Sequence, residues 1–227
     1  MKKSSVILLI LFVVSGIFYY QLTKEKQEVL TYKLTRVIDG DTVELSSGDK
    51  VRLKGINAPE TFMNGNELAT NFLENFENKT VKIVSFGPDK YGRILGYLFY
   101  ENKNLNLEIL EQGFASLYYY EQDKYYKEMK SAEEFARMNE LGIWKKSSDY
   151  GCLEIIDLHY KEPELLEIYN YCNKTFSVTL KDDATHIYEE KINPESLFKK
   201  DSSHIWNDEG DTVYVWDNEG LLIFYRY

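Results

Sequence analysis

The sequence predicts an α+β OB-fold β-barrel carrying helices over residues 29–147, joined to an all-β sandwich over residues 148–227. Three observations predict it. Strand-like alternation and helix-like spacing succeed one another in the first part. The second part shows only strand-like runs between Asp- and Gly-rich turns. Acidity is concentrated in that second part. Hydrophobic residues at 44% and charged residues at 28% describe globular material.

From Val29 to Ile56 the pattern is β-like. Leu30, Tyr32 and Leu34 alternate with polar residues, Asp39-Gly40 turns the chain, and Thr42–Leu45 continues it. Ser47-Gly48-Asp49 makes a second turn into Val51–Leu53. Leu68, Phe72 and Phe76 then recur every four residues, which predicts a helix from Glu67 to near Asn78. Strands follow at Thr80–Phe86 and Arg93–Tyr100. A short helix spans Leu105 to Gln112 with Gly113 after it, and a longer one carries Tyr125, Met129, Ala132 and Ala136 on one face before Gly142. The second part offers strands near Leu153–Leu158, Leu165–Ile168, Phe176–Leu180, Thr212–Trp216 and Leu221–Tyr225, with no helical period.

The net charge is −10, which argues against a protein that coats nucleic acid non-specifically. Residues 29–147 carry 16 lysines and arginines against 18 acids; residues 148–227 carry 7 against 17. A polyanion is repelled by the tail and drawn only to a local cationic site in the middle.

At the N-terminus, Lys2 and Lys3 precede an uncharged run from Val6 to Leu22. Residues 1–28 therefore read as an export signal or as an uncleaved membrane anchor with its basic end inside. Either option puts the remainder outside the cytoplasm, membrane-anchored or secreted. Cys152 and Cys172 both lie in the tail, twenty positions apart, and in an exported chain they suit a structural disulfide better than a metal site.

The first part contains no histidine, since His159, His186 and His204 all fall in the tail. Ser-His and Cys-His mechanisms are thereby excluded for it. Its candidates are Asp39, Asp41, Arg52, Asn57, Glu60 and Arg93, each of which alone reads equally well as a turn residue, a cap or a surface ion pair.

As a set they carry more. Val37–Val43 (VIDGDTV), Val51-Arg52-Leu53 through Asn57-Ala58-Pro59-Glu60-Thr61, and Asp89-Lys90-Tyr91-Gly92-Arg93 resemble the staphylococcal nuclease (thermonuclease) family. Glu111–Ala115 and Leu141–Trp144 continue the resemblance, which covers residues 29–146 with order and spacing intact. It implies calcium-dependent hydrolysis of DNA or RNA. Glu60 would deprotonate the attacking water. Arg52 and Arg93 would neutralise charge on the phosphoryl oxygens. Asp41, Asn57 and the Ala58 carbonyl would hold Ca2+. Asn57 departs from the family pattern, where the best-known member has a second metal-binding aspartate, and this implies weaker calcium affinity. Lys90, Tyr91 and Tyr119 would bind substrate by phosphate contact and base stacking, favouring single strands.

Residues 152–227 resemble a lamin-tail domain, an immunoglobulin-like sandwich. Leu166–Asn170, Thr179–His186 and Ile205–Tyr214 carry the resemblance. It implies an accessory module for surface or substrate association. The leading expectation is an exported nuclease, and the competing ones are a nuclease-like binding module and a surface adaptor. On the enzyme reading, deleting residues 148–227 leaves cleavage intact.

Overall fold

The structure, a computed structural model, describes residues 28–119 and 122–227. The N-terminal signal or anchor segment lies outside the described residues, as does Tyr120. Among the described residues no helix is long and apolar enough to cross a membrane.

Strands β1 (Glu28–Asp39), β2 (Thr42–Leu45) and β3 (Lys50–Leu53) form an antiparallel meander, followed by the two-residue β4 (Ile56–Asn57). β5 (Thr80–Pro88) and β6 (Ile94–Tyr100) form a hairpin, extended by β7 (Lys103–Asn104). The long β1 serves two neighbours: Glu28–Lys33 pair with β5, and Leu34–Asp39 pair with β2. β3 pairs in parallel with β6, Val51 opposite Ile94 and Arg52 opposite Leu95. That pairing closes five strands into a barrel, which fits the OB-fold expected from the alternation. Its interior takes Leu34, Val43, Leu45, Val51, Leu53, Val81, Ile83 and Tyr97, none more than 1% exposed.

Helix α1 (Asn66–Glu74) buries Ala69 and Leu73. It stops four residues short of Asn78, because the chain turns at Phe76 and Asn78 adopts a φ of 64°. α2 (Leu105–Glu111) is capped by the Asn104 side chain, which accepts from Asn106 N and Leu107 N. β8 (Ser116–Leu117) follows and pairs with β4. α3 (Tyr126–Met138) buries Met129, Ala132, Glu133 and Ala136. A 3-10 turn at Gly142–Trp144 then packs onto Gly113, whose missing Cβ would lie 2.3 Å from Leu141 O.

The remaining strands are β9 (Leu153–His159), β10 (Glu164–Asn170), β11 (Phe176–Lys181), β12 (Ile187–Ile192), β13 (Leu197–Ser202), β14 (Thr212–Trp216) and β15 (Leu221–Arg226). They build a three-stranded sheet, β13-β10-β9, and a four-stranded one, β12-β11-β14-β15. Leu153, Leu166 and Ile168 of the first share a core with Val178, Leu180, Val213, Val215 and Leu222 of the second. β12 and β13 are absent from the sequence reading. Both are sheet edges, and Tyr188-Glu189-Glu190-Lys191 and Lys199-Lys200-Asp201 break the apolar alternation there, as edge strands commonly do. Cys152 and Cys172 form the disulfide, with Cα atoms 5.3 Å apart.

A third apolar cluster joins the two regions. Ala136, Ile143 and Trp144 pack on Tyr214 and Leu221. Leu221 N donates to Lys145 O at 2.8 Å, and Ser147 N to Leu221 O at 3.0 Å.

Candidate active site

The turn between β1 and β2 presents the first acids. Asp41 N donates to Asp39 Oδ1 at 3.0 Å, tightening the turn. Gly40 is required for close approach: a Cβ there would lie 2.6 Å from Ala58 Cβ and 2.9 Å from Ala69 Cβ. Asp41 is thereby buried. Its Oδ2 accepts from Ala58 N at 3.1 Å and pairs with Arg52 Nη2 at 3.0 Å, and its Oδ1 accepts from Thr42 Oγ1 at 3.1 Å. Burial, with the neighbouring Asp39 adding to it, pushes the Asp41 carboxyl up to about 6 although Arg52 pulls the other way. Asp41 is thus a buried acid whose charge is incompletely compensated.

Arg52 lies on β3 opposite Thr42, one residue from Asp41. Its Nη1 donates to Leu53 O at 2.6 Å and Ile56 O at 2.8 Å, and its Nη2 reaches Asn57 Oδ1 at 3.4 Å. These contacts hold the guanidinium flat against the β3–β4 connection. Closure of the barrel brings the turn that ends in Arg93 beside β3, since Ile94, the first residue of β6, pairs with Val51. Arg93 Nε donates to Asp89 Oδ2 at 2.7 Å, and its guanidinium lies 5.3 Å from the centre of the Tyr91 ring. Asp89 also accepts from the backbone of Tyr91 and Arg93. Partial burial raises the Asp89 carboxyl, but the Arg93 bonds outweigh it and hold the group below its usual range. The Lys90 ammonium sits 5.1 Å from the same ring centre, and Tyr91 is 72% exposed. The Asp89–Arg93 turn is therefore an open, cation-flanked aromatic platform.

Glu60 stands on the exposed loop after β4, where its carbonyl accepts from Met63 N at 2.8 Å. Asn57, at the start of that loop, donates through Nδ2 to Asp183 O at 3.0 Å and Ala184 O at 3.2 Å. Ala58 N is committed to Asp41. The structure brings Asp41, Arg52, Asn57 and Ala58 into direct contact, and sets Arg93, Lys90 and Tyr91 on the neighbouring turn.

Tyr119 is placed otherwise than an open stacking residue. Its hydroxyl is bonded to Tyr97 and to Asp123, Lys54 Nζ lies 5.0 Å from its ring centre, and Tyr126 packs edge-on. Burial and the Asp123 carboxylate both hold its hydroxyl protonated, well above the usual phenol range.

Sequence reasoning missed Lys181, Asp183 and Ala184, which stand beside the β4 loop from 126 positions away at Asp183. The Lys181 ammonium bonds Asp182 O and Ala184 O. Burial lowers its affinity for the proton, while Asp182, Asp183 and Glu60 act in the opposite direction. No local pattern marks these residues, because the contact exists only once both regions are folded.

The Asp41 carboxylate is met by Arg52, Ala58 N and Thr42, and its own oxygens, with the Asn57 and Ala58 oxygens nearby, are of the hard type that suits a hard cation. Among the described residues no cluster of three or more His, Cys, Asp or Glu side chains gathers to hold a metal. Beyond Asp41, ligands would have to come from Ala58 O, Asn57 Oδ1 and water.

Comparison with known proteins gives a consistent picture. The model of the staphylococcal nuclease homologue family matches residues 50–146. Endonuclease YhcR of Bacillus subtilis is 31% identical over 135 residues, 49% of this chain but 11% of that protein. Endonuclease YncB of the same organism is 29% identical over 141 residues, 55% of this chain and 66% of that protein. The thermonuclease of Staphylococcus intermedius is 30% identical over 129 residues, 51% of this chain and 77% of that protein.

Proposed function

This chain belongs to the staphylococcal nuclease homologue family, and from that premise we propose that it is a calcium-dependent nuclease hydrolysing phosphodiester bonds of DNA or RNA. The observation that carries this reading is the barrel-closing β3–β6 pairing. It sets Arg52 on β3 beside Arg93, the residue immediately before β6, with the Glu60 loop leaving β4 a few residues beyond Arg52.

Glu60 orients a water and takes its proton as the water oxygen attacks phosphorus. The bond to the leaving sugar oxygen breaks, and that oxygen takes up a proton from solvent. Arg52 and Arg93 neutralise the charge that builds on the phosphoryl oxygens. Each guanidinium is already held by a carboxylate, Asp41 and Asp89 respectively, so little ordering remains for the substrate to impose. Tyr91 stacks an unpaired base and Lys90 meets a neighbouring phosphate, which favours single strands. Tyr119 supports the wall of the site through Tyr97 and Asp123 instead of stacking. Asp41, with the Asn57 and Ala58 oxygens, would hold calcium, which when bound would supply Lewis-acid polarisation of the phosphate.

The two sheets sharing one core support reading residues 152–227 as a lamin-tail-like, immunoglobulin-like sandwich. The disulfide supports an oxidising, extracytoplasmic location, secreted or membrane-anchored.

The test is cleavage of single-stranded DNA by the full chain across a calcium titration, with EGTA and Glu60→Gln beside it. Calcium-dependent cleavage that collapses in the variant is expected. No cleavage by well-folded protein at any calcium level rejects the enzyme and leaves a nucleic-acid-binding module.

A further inference from the structure

The loop that bears Glu60 is gripped by the C-terminal region at both ends. At its start, Asn57 Nδ2 donates to Asp183 O and Ala184 O at 3.0 and 3.2 Å. At its far end, Asn64 Nδ2 reaches Asp217 O at 3.3 Å. Between them, Pro59 and Met63 face Lys181, Tyr214 and Trp216 across a small shared cavity.

The strand beside Asn57 is tied to the same region. β8 pairs with β4, and Leu117 N donates to Glu133 Oε1 at 2.7 Å. Arg226 holds Glu133 through Nη1 at 2.6 Å and Nη2 at 3.2 Å. Arg226 Nη2 also donates to the Tyr214 hydroxyl at 3.0 Å, which donates to Asp183 Oδ1 at 2.8 Å. One continuous polar chain therefore runs from β8 back to the residue whose carbonyl holds Asn57.

The gripping turn is itself rigidly built. Asp182 Oδ1 accepts from Ala184 N and His186 N, both at 3.0 Å, and its Oδ2 meets His186 Nδ1 at 2.6 Å. This fixes the Asp183 and Ala184 carbonyls towards Asn57. Carbonyl oxygens take donors, and of these two Ala184 O already has the Lys181 ammonium at 2.6 Å while Asp183 O is met by Asn57. An aspartate at position 57 would set a carboxylate against both of them, whereas asparagine supplies its NH2 and still turns an oxygen towards Arg52.

We propose that the C-terminal region is a positioning part of the nuclease site, with its turns at 182–184 and 217 fixing the Glu60 loop and Asn57 serving as the positioning residue between them. This rests on the nuclease reading above, with Glu60 as the base. It also reverses the expectation that cleavage survives deletion of residues 148–227. The deletion would uncover Trp144 and Ile143 and leave Glu133 without Arg226. The Glu60 loop would lose both of its anchors in the C-terminal region and keep only those within the barrel, such as Ala58 N on Asp41.

The test compares the full chain with Asn57→Ala, Asp182→Ala and the milder Asn64→Ala. Hydrogen exchange over residues 58–65 is read together with kcat and KM on single-stranded DNA in calcium. Asn57→Ala and Asp182→Ala are each expected to speed exchange in 58–65 and to lower kcat about 10-fold or more, while KM moves less than about 3-fold. Asn64→Ala should shift both readouts the same way by less, and it decides the matter with Asn57→Ala if Asp182→Ala does not fold. The side-chain bonds of Asp182 run to Ala184 and His186 and not to Asp41, Arg52, Glu60 or Arg93, so a kcat loss through it reports positioning. Unchanged exchange at 58–65 in Asn57→Ala overturns the proposal. So does a kcat lost in Asn57→Ala but kept in well-folded Asp182→Ala, which would give Asn57 a direct role on metal or phosphate. If the parent chain cleaves nothing, the nuclease reading fails, and the exchange comparison alone still decides whether the tail holds the loop.

Discussion

Two buried carboxylates of this protein are each paired with an arginine, Glu133 at the seam between regions and Asp41 beside the β4 loop. At the seam, Glu133 is 3% exposed and its oxygens are taken by Leu117 N and the Arg226 fork, while Arg226 also meets Thr212 and Tyr214. Burial pulls the Arg226 proton affinity down, but Tyr214 and Glu133 outweigh it and hold the group above its usual value. Beside the β4 loop, Asp41 has Arg52, Ala58 N and Thr42, yet burial still leaves its carboxyl up at about 6. The seam pair is electrostatically closed, and its role is to hold. The Asp41–Arg52 pair leaves the buried carboxylate incompletely compensated, a condition that a cation would relieve.

The sharpest way to separate the two sites is to remove function from one and stability from the other. Glu60→Gln should lower kcat by about 10²–10⁴-fold, with the midpoint of urea unfolding unchanged, because the side chain is exposed. A shifted midpoint would make Glu60 structural. Glu133→Ala should do the opposite. It strands Leu117 N and takes from Arg226 its carboxylate fork, leaving it Thr212, Tyr214 and Asp183, and should cost about 3–5 kcal/mol in a urea titration; a loss under about 1 kcal/mol, the range of surface pairs, would show the seam to be dispensable.

Cys172→Ser should cost about 3 kcal/mol by opening a loop of 20 residues, and it should act on the C-terminal core alone. Differential scanning calorimetry checks this, and an unchanged transition would reject it. Arg52→Lys should cut kcat/KM about 10–100-fold, because an ammonium cannot span Leu53 O, Ile56 O and Asp41 while facing a phosphate. Activity equal to the parent would dismiss the fork as the relevant feature.

The smallest effect concerns pH. Asp89 is held below its ordinary value of 3.8, so the fold favours its ionised form. Its contribution is complete above that value and is lost as pH falls through the lower folded one. The Tyr91 amide, which donates to Asp89, should report release of the turn in an acid NMR titration. Asp89→Asn should flatten that response.

Much of the barrel was legible because its information is local. Alternation at Leu30–Leu34, Thr42–Leu45 and Val51–Leu53 tracks the pleat, and the four-residue spacing of Leu68 and Phe72 tracks a helical face. The edge strands β12 and β13 were not legible, since an edge exposed to water does not need the alternation that betrays a buried strand. Tyr119 read as a stacking residue because an aromatic beside a cleft has the same letter whether its hydroxyl is free or bonded to Asp123.

By itself the sequence determined the barrel, the family and the types of group available: a nuclease-like set of carboxylates and arginines without histidine. Position along the chain determines secondary structure and motif spacing, because those depend on neighbours within a few residues. Only the tertiary structure decided that Asn57 turns its nitrogen to Asp183 and Ala184, and that Arg226 closes on Glu133, 93 positions away. Such contacts come from the docking of two separately built cores, and a side chain's partner across that seam is fixed by geometry that no local pattern encodes.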